Sequence, residues 1–399
     1  MAGSQRGWCV TAREQPDVTP HGCRSRCGCA PRRWVTTNYL PRIFAMQPTR
    51  DAAPAGRVLV IRTDHLGDIV LATPLVRALA EAGWVVEVLV PAAMRAVFAG
   101  NPGVRACHAM EVVAPGFPKG WTRLARWIRA GRFDAVLLPY ARPRELLWAS
   151  CISGVRRRVA MWAGVWGRVT GHRCLRSRIK EEPRHFAEIS LECARALNVP
   201  TRGSALEWFV TSGEAEWAAR GLQERFGARR LLGVHPGCAG NACNLPAREY
   251  GRLVELMLAH TDCGIVVTGT AGERGLWRDW PAEVVRSPRV WNAMGEMNLR
   301  QLAAVLARLE VLVCPSTGPL HVASALGVAT VSPFCARPTL SPTVWGNRNA
   351  NAAVVVPEAE ACRSWGEREP GHCDFRGLVV AEDLWRRVVE LRARGGAAT

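Results

Sequence analysis

The sequence predicts an α/β fold in which two Rossmann-like domains face each other across a cleft. Its 399 residues exceed what one hydrophobic core usually organises, so two domains are expected. Short apolar runs alternate with segments of helical periodicity, which is the pattern of parallel βαβ units. This alternation stops in the middle of the chain and then restarts. We therefore predict two consecutive α/β halves of similar size.

The predicted elements follow from short β-branched runs for strands and spaced apolar residues for helices. In the first half, strands are predicted at 58–61, 85–90 and 135–139, and helices at 69–82 and 92–99. A polar, arginine-rich stretch at 155–205 contains a predicted helix at 186–197, and the Asn-Val-Pro that follows it is a plausible junction. In the second half, strands are predicted at 231–235, 264–268, 311–314 and 330–333, and helices at 249–260, 299–309 and 320–326.

Residues 1–56 differ from the rest of the chain. They carry eight arginines against three acidic residues, and apolar residues show no sustained period. We expect a disordered N-terminal extension, because little apolar surface is available to offset chain entropy. Met46 precedes the first strand closely, so we also expect translation to start naturally at that residue. The predicted domains are then 57–205 and 206–390.

The composition indicates an ordinary globular protein with a strongly basic charge of +18. Such a charge attracts polyanions, namely nucleic acid, an anionic membrane surface or phosphorylated substrates. An arginine-rich proteome explains it equally well. No stretch is long and apolar enough for a transmembrane helix, and the N-terminus lacks the apolar centre of a signal peptide, so the cytoplasm is the default location.

The fifteen cysteines are too dilute for a disulfide scaffold. Cys23, Cys27 and Cys29, with Cys9 upstream, do not form the paired C-x-x-C units of a zinc site. We therefore predict no metal. Nor does the sequence contain a G-x-G-x-x-G or a P-loop, so dinucleotide oxidoreductases and NTPases lack their fingerprints.

The loop after the first strand carries a candidate catalytic carboxylate. In Arg62-Thr-Asp-His-Leu-Gly-Asp68, the glycine permits a tight turn and Asp68 is placed near a helix N-terminus, where an ionised carboxylate is favoured. An ionised carboxylate at the rim of a cleft can accept a proton from an attacking hydroxyl. The alternative is a helix cap without a catalytic role.

Three loops of the second half have features of a diphosphate- and nucleotide-binding site. Cys314-Pro-Ser-Thr-Gly-Pro-Leu-His321 resembles a helix start with open N–H groups and hydroxyls, which can bind phosphate or merely cap the helix. The small residues of 235–241 allow a ligand to approach closely. In the loop 268–273, Glu273 could accept hydrogen bonds from ribose or be an ordinary surface residue.

Together these segments resemble glycosyltransferase family 9, the heptosyltransferase family of lipopolysaccharide assembly. The resemblance covers most of 57–390, including the closing region with His372, Cys373 and a helix from Ala381. It is most specific at 57–74 (RVLVIRTDHLGDIVLATP), at 235–237, and at 292–326 with its STGPLH core. The resemblance implies a GT-B fold and inverting, metal-independent transfer of a heptose from an ADP-activated donor, with no cofactor.

The resemblance also implies the roles of individual residues. Asp68 would be the general base. The implied donor site comprises His235, Gly237, Glu273, Met297, Ser316, Thr317, Gly318, Pro319 and His321. Within it, Thr317 and Gly318 would contact the diphosphate, Glu273 the ribose, and the backbone around Met297 the adenine. The implied acceptor site comprises Thr63, Asp64, His65 and Gly67.

The implied acceptor is a phosphorylated sugar-lipid or another envelope glycan, which would also bring the protein into peripheral contact with the inner membrane. No nucleic-acid partner is expected, because the chain carries no recognisable nucleic-acid motif.

Two positions depart from the family pattern. Cys243 stands where the family usually has a lysine, and Ser316 where it has an aspartate. Loss of a lysine removes a charge that would stabilise the leaving group, although Arg248 or Arg274 could compensate. Two alternatives therefore stay open: a transferase that uses a different nucleotide sugar, and an impaired family member that acts as a scaffold.

Overall fold

The structure, a computed structural model, describes residues 55–177, 179, 181–238, 240, 242–360 and 373–396. The predicted N-terminal extension lies outside these residues except for Ala55 and Gly56, as do Met46, the N-terminal cysteines and His372. None of the described helices is long and apolar enough to cross a membrane.

Two parallel sheets form the described fold. The first sheet comprises β1 (Gly56–Ile61), β2 (Trp84–Val90), β3 (Ala106–Ala109), β4 (Ala135–Leu138), β5 (Arg157–Met161) and β6 (Arg173–Leu175). The second comprises β7 (Leu231–Val234), β8 (Gly264–Val267), β9 (Val290–Asn292), β10 (Val311–Val313), β11 (Ala329–Pro333) and β12 (Ala352–Val355). Their orders are β3-β2-β1-β4-β5-β6 and β12-β11-β10-β7-β8-β9, which is the same Rossmann order in each half. The predicted α/β class with two Rossmann-like halves is confirmed.

Helices cover both sheets and connect their strands. They are α1 (Leu66–Val70), α2 (Thr73–Glu81), α3 (Met110–Val113), α4 (Trp121–Ala130), α5 (Glu145–Ile152), α6 (Gly164–Val169), α7 (Phe186–Arg195), α8 (Ser212–Phe226), α9 (Ala247–His260), α10 (Ala282–Arg286), α11 (Leu299–Leu306), α12 (Gly318–Ala325), α13 (Pro342–Trp345) and α14 (Ala381–Gly396). The longer 3₁₀ helices span Ala92–Phe98 and Ala271–Asp279.

Two predicted helices have a different form from the one expected. The predicted helix 69–82 is divided into α1 and α2, because Pro74 stands in the first turn of α2, where its ring cannot follow a continuous helix. The hydroxyl of Thr73 bonds the freed carbonyl of Val70 at 2.8 Å. The predicted helix 92–99 is a 3₁₀ helix.

The elements that were not predicted include β3, β5, β6, β9, β12, α3, α4, α5, α6, α8, α10 and α13. The stretch 155–205, interpreted as polar, contributes β5 and β6 to the first sheet. Both strands begin with arginine, so each leaves only a short apolar run in the sequence.

The two halves are in direct contact. Arg300 on α11 donates from Nη1 to the carbonyl of Ala96 at 3.1 Å and from Nη2 to the carbonyl of Phe209 at 2.5 Å. The same guanidinium pairs with Glu214 at 2.6 Å and lies over the Trp208 ring. This one side chain therefore joins the first half, the connecting segment and the second half.

Candidate active site

The candidate site forms where the strand order of each sheet reverses. In the first sheet this point lies between β1 and β4, and in the second between β7 and β10. Loops leave neighbouring strands in opposite directions there, which opens a crevice at the carboxyl ends of the strands. The loops after β1, β7 and β10 are three of the four segments singled out in the sequence, and the fourth follows the adjacent β8.

Asp68 lies in the first turn of α1, and Arg62 holds its carboxylate. The N-cap position belongs to His65, whose side chain makes no cap bond. Oδ1 of Asp68 instead accepts a hydrogen bond from Nη2 of Arg62 at 3.1 Å. The alternative that Asp68 is a helix cap is therefore wrong, since another residue occupies that position and the carboxylate bonds a buried arginine.

Arg62 is almost completely buried at the end of β1. Its guanidinium lies 5.6 Å from the ring centre of Tyr140 and 5.2 Å from that of Phe186. Because two aromatic faces confine it, the guanidinium is a rigid support for Asp68. Arg62 belongs to the sequence motif of this loop, but no role was predicted for it. The sequence feature that could have indicated a role is a charged residue directly after the apolar run of β1.

Asp64 is a second carboxylate at the same guanidinium. Its Oδ1 lies 2.8 Å from Nε of Arg62, although the N–H is not aligned for a hydrogen bond. Burial raises the pKa of Asp64 to about 6, against the opposing charge of Arg62. Two carboxylates thus share one buried cation, and Asp64 is the one that burial drives towards the neutral form.

The predicted acceptor loop and the predicted diphosphate loop touch each other. A Cβ atom placed on Gly67 would lie 2.6 Å from Cδ2 of His321, and one on Gly318 would lie 2.7 Å from Cδ2 of Leu66. Both glycines are therefore required by close packing of α1 against α12. Asp68 and the start of α12 consequently belong to one site.

His321 is a buried, neutral side chain in this contact. Burial, with a smaller contribution from nearby His185, lowers the pKa of His321 to about 3. Its Nδ1 atom is buried and has no hydrogen-bond partner among the described residues. Its contact with Gly67 places the imidazole beside the loop that carries Asp68.

The start of α12 leaves the amide of Gly318 without a side-chain cap, while the amide of Leu320 donates to the carbonyl of Thr317 at 3.0 Å and Pro319 has no N–H. Thr317 is the N-cap residue, but its hydroxyl turns back to the carbonyl of Pro315 at 3.4 Å and does not cap the helix. Ser316 is half-buried beside it, and Pro319 stands in the first turn. Free N–H groups at a helix start are suited to an anionic ligand.

Glu273, His235 and Gly237 cluster at the ends of β7 and β8. A Cβ atom on Gly237 would lie 2.0 Å from Oε1 of Glu273, so this position accepts only glycine without rearrangement. Oε2 of Glu273 accepts bonds from the amide of Thr270 at 2.7 Å and from its hydroxyl at 2.9 Å. The carboxylate thus caps the 3₁₀ helix with one oxygen.

His235 is buried beside this carboxylate. Its Nδ1 lies 2.9 Å from the hydroxyl of Thr268. Burial lowers the pKa of His235 to about 4, against the opposing effect of Glu273, so the imidazole is neutral near pH 7. Met297 lies in the loop after β9 and is half-buried. The turn before it is fixed by the amide of Gly295, which donates to the carbonyl of Gly269 at 2.8 Å.

The position of Cys243 shows what is changed by having a cysteine where the family usually has a lysine. Cys243 is buried in the core of the second half, and the neighbouring Cys335 together with burial raises the pKa of its thiol. It therefore supplies no charge to the crevice. Of the two compensating arginines considered, Arg248 is highly exposed and lies 3.8 Å from Glu249, while Arg274 donates to the carbonyl of Met294 at 2.8 Å. Arg274 is thus next to the nucleotide loops.

The loop after β4 also borders the site and was missed in the sequence. The hydroxyl of Thr63 donates to the carbonyl of Arg142 at 3.3 Å, which places this loop against the predicted acceptor residues. Arg142 is exposed. The location of this loop at the reversal of strand order could have identified it.

Comparisons with known proteins give the class of the protein. Residues 183–370 match the model of "Glycosyltransferase family 9 (heptosyltransferase)". A Haemophilus influenzae protein provisionally described as a glycosyltransferase is 26% identical over 301 residues, which cover 72% of this chain and 85% of that protein.

Solved structures of low sequence identity share the fold. A family 9 glycosyltransferase from Veillonella parvula matches with a TM-score of 0.68 and 19% identity, covering 85% of this chain and 97% of that one. The E. coli ADP-heptose lipopolysaccharide heptosyltransferase II matches with a TM-score of 0.66 and 19% identity, covering 85% and 99%. E. coli heptosyltransferase WaaC with ADP has a TM-score of 0.58 and 15% identity, covering 84% and 99%.

Fold and matches together define a glycosyltransferase of the GT-B architecture. Within that class, residues 183–370 match glycosyltransferase family 9, the family that the sequence motifs resemble. The individual site residues stay predictions.

Proposed function

We propose that this protein transfers a heptose, or a related sugar, from an ADP-activated donor to a lipopolysaccharide core or another envelope glycan. The transfer inverts the anomeric centre and needs no metal or other cofactor. The donor binds to the second half and the acceptor to the first. The protein acts in the cytoplasm, at the inner face of the inner membrane.

The proposed chemistry uses Asp68 as the general base. An acceptor hydroxyl attacks the anomeric carbon, its proton passes to the carboxylate of Asp68, and the bond from that carbon to the diphosphate oxygen breaks. The N–H groups at the start of α12 stabilise the charge that develops on the leaving diphosphate. Single-step attack from the face opposite the leaving group accounts for inversion.

One observation supports this proposal above the others. The carboxylate of Asp68, held by buried Arg62, and the open start of α12 lie on two helices that pack directly against each other through Gly67 and His321. The proposed base and the helix start proposed to bind the diphosphate are thereby neighbours, which supports the proposal.

The test is turnover of ADP-heptose with a lipopolysaccharide-core acceptor by the full-length protein. Asp68→Ala should abolish turnover while leaving donor binding, measured by thermal shift, unchanged. The matched control is Asp262→Ala, because Asp262 is exposed and remote from the loops of the site. Full activity of Asp68→Ala would remove Asp68 from the mechanism.

The buried Cys243 and the half-buried Ser316 favour a second candidate, a transferase with a different nucleotide sugar. A thermal-shift panel of ADP-, GDP-, UDP- and dTDP-sugars separates the two, because a bound donor raises the melting temperature by mass action. The largest shift with ADP-sugars supports the first candidate. No shift with any donor would instead support a scaffold without transferase activity.

A further inference from the structure

Helices α5 and α6 expose a continuous apolar surface. Arg144, Trp148 and Ile152 follow one another at four-residue spacing on one face of α5, and Val165, Trp166 and Val169 share one face of α6. We call these six residues the α5–α6 surface. Val165 is 63% exposed, Val169 60%, Ile152 46% and Trp166 38%.

Aromatic contacts make the two helices a single surface. The ring centres of Trp148 and Trp166 lie 6.3 Å apart, and the guanidinium of Arg144 lies over the Trp166 ring at 5.5 Å. Trp166 is therefore held in place between Arg144 and Trp148, and it carries the two exposed valines of α6 next to it.

The surroundings of this surface are strongly basic. Residues 139–176 contain eight arginines and a single acidic residue, Glu145, which gives a net charge of +7. Arg156 and Arg168 are exposed beside the apolar residues. Apolar side chains that include a tryptophan, surrounded by arginines, are the combination that binds the headgroup region of an anionic bilayer.

The surface is connected to the candidate acceptor site. α5 follows the loop after β4 and α6 follows β5, so both start at the carboxyl-end edge of the first sheet. The β4 loop contacts Thr63 through the carbonyl of Arg142. α5 packs on the face of the first sheet opposite α2, and the starts of α5 and α6 lie at the same edge of that sheet as the predicted acceptor loop.

We propose that the α5–α6 surface docks the protein on an anionic phospholipid bilayer, with Val165, Trp166 and Val169 in the headgroup region. This inference rests on the proposed function and extends it, because a glycolipid acceptor embedded in that bilayer would be held near the edge of the first sheet at which the Asp68 loop lies. The charge of the surface selects anionic lipid over a neutral bilayer.

The experiment is co-sedimentation of the full chain with vesicles of phosphatidylcholine containing phosphatidylglycerol, and with vesicles of phosphatidylcholine alone. We expect binding to the anionic vesicles, weakened by added salt because the arginines are screened. Val165→Asp with Val169→Asp should lower the partition coefficient about tenfold or more, since it replaces apolar side chains with charges that anionic lipid repels.

Val112→Asp is the matched control, because Val112 is 77% exposed on α3 and lies outside the α5–α6 surface. This variant should bind vesicles like the unaltered protein, and circular dichroism should give all variants the same melting temperature. Equal vesicle binding by the double variant overturns the proposal, as does equal affinity for neutral vesicles.

Two further measurements separate this proposal from its rivals. The double variant should keep the turnover of a delipidated, soluble acceptor, so failure of docking and failure of the proposed transferase activity give different results. Sedimentation equilibrium should show no self-association that depends on Val165 and Val169. A dimer that the double variant dissolves would assign the surface to a second copy of the chain and overturn the proposal.

Discussion

The Nη2 atom of Arg62 lies 3.1 Å from Oδ1 of Asp68, although the two side chains differ sharply in exposure. The side chain of Arg62 is 2% exposed, whereas that of Asp68 is 19% exposed. The orientation of the proposed base is therefore fixed from within the first half and not by solvent-exposed loop contacts. This relationship gives Arg62 a positioning role that can be measured separately from the chemistry of Asp68.

Arg62→Met should lower kcat about a hundredfold while changing the donor KM little. The reason is that a displaced base costs roughly this factor without affecting a donor site on the other half. Steady-state kinetics with ADP-heptose and acceptor give both parameters. Arg62→Lys keeps a cation and should recover part of the rate. Arg62 would have only a structural role if Arg62→Met and Arg62→Lys lost the same fraction of kcat and thermal melts showed the same loss of folded protein in both variants.

The fold was predictable where buried strands carry uninterrupted β-branched residues, as in β1 and β8. It was not predictable for β5, which starts with two arginines, or for the three-residue β6 at the sheet edge. These strands are stabilised by pairing with neighbours that are distant in sequence. A local pattern contains no information on such pairing.

The site was predictable as a set of loops, because parallel strands place their carboxyl ends together. The support of Asp68 by Arg62 was not, since α1 could have begun one turn later and made Asp68 its cap. The hydrogen bonds between Glu273 and Thr270 were likewise not predictable. A capping pair and a ribose ligand have the same sequence pattern at that position.

Gly67→Ala should reduce both stability and activity. Its new Cβ would lie 2.6 Å from Cδ2 of His321, so either the buried imidazole or α1 itself must shift. Such overpacking typically costs about 1–3 kcal/mol of unfolding free energy. Urea denaturation measures the loss, and turnover measures the displacement of Asp68. Gly67→Ala combined with His321→Ala should lose less stability than the sum of the two single variants, because the clash disappears.

Gly221→Ala is the control for that substitution. Gly221 lies within α8, and a Cβ there meets no atom within 4 Å. Alanine should raise stability by about 0.5–1 kcal/mol, because glycine is unfavourable inside a helix. If Gly67→Ala left the unfolding free energy unchanged or raised it, as Gly221→Ala is expected to do, the contact between α1 and α12 would be loose.

Asp64→Asn should stabilise the protein above about pH 6 but have little effect below about pH 4. Burial raises the pKa of Asp64 in the folded protein to about 6 from an ordinary value of 3.8. The folded state therefore retains a proton that the unfolded state loses, and stability falls as pH rises through this window. A shift of this size corresponds to at most about 3 kcal/mol. Asparagine cannot ionise and so avoids the loss.

The measurement is the unfolding free energy of both proteins in urea between about pH 4 and 8. The difference between them should grow up to about pH 6 and then stay constant. Asp262→Asn, which makes the same substitution at an exposed carboxylate outside the site, is the matched control. A pH-independent difference for Asp64→Asn would show that its carboxyl titrates alike in the folded and unfolded states.

Arg300→Ala should weaken the contact between the halves and lower the unfolding free energy by about 2 kcal/mol. Its guanidinium bonds the carbonyls of Ala96 and Phe209 and pairs with Glu214, and its side chain is 15% exposed. The expected loss is below that of a fully buried pair, because water partly replaces these bonds. Arg308→Ala is the matched control, since Arg308 is exposed two residues beyond the end of α11. The melting temperature of Arg300→Ala should fall while that of Arg308→Ala stays constant, and bound donor should restore only part of the difference, because the donor loops belong mainly to the second half. Equal melting temperatures for the two variants would mean that other contacts between the halves, such as the packing of α1 against α12 and the stacking of Phe186 on Trp345, suffice without Arg300.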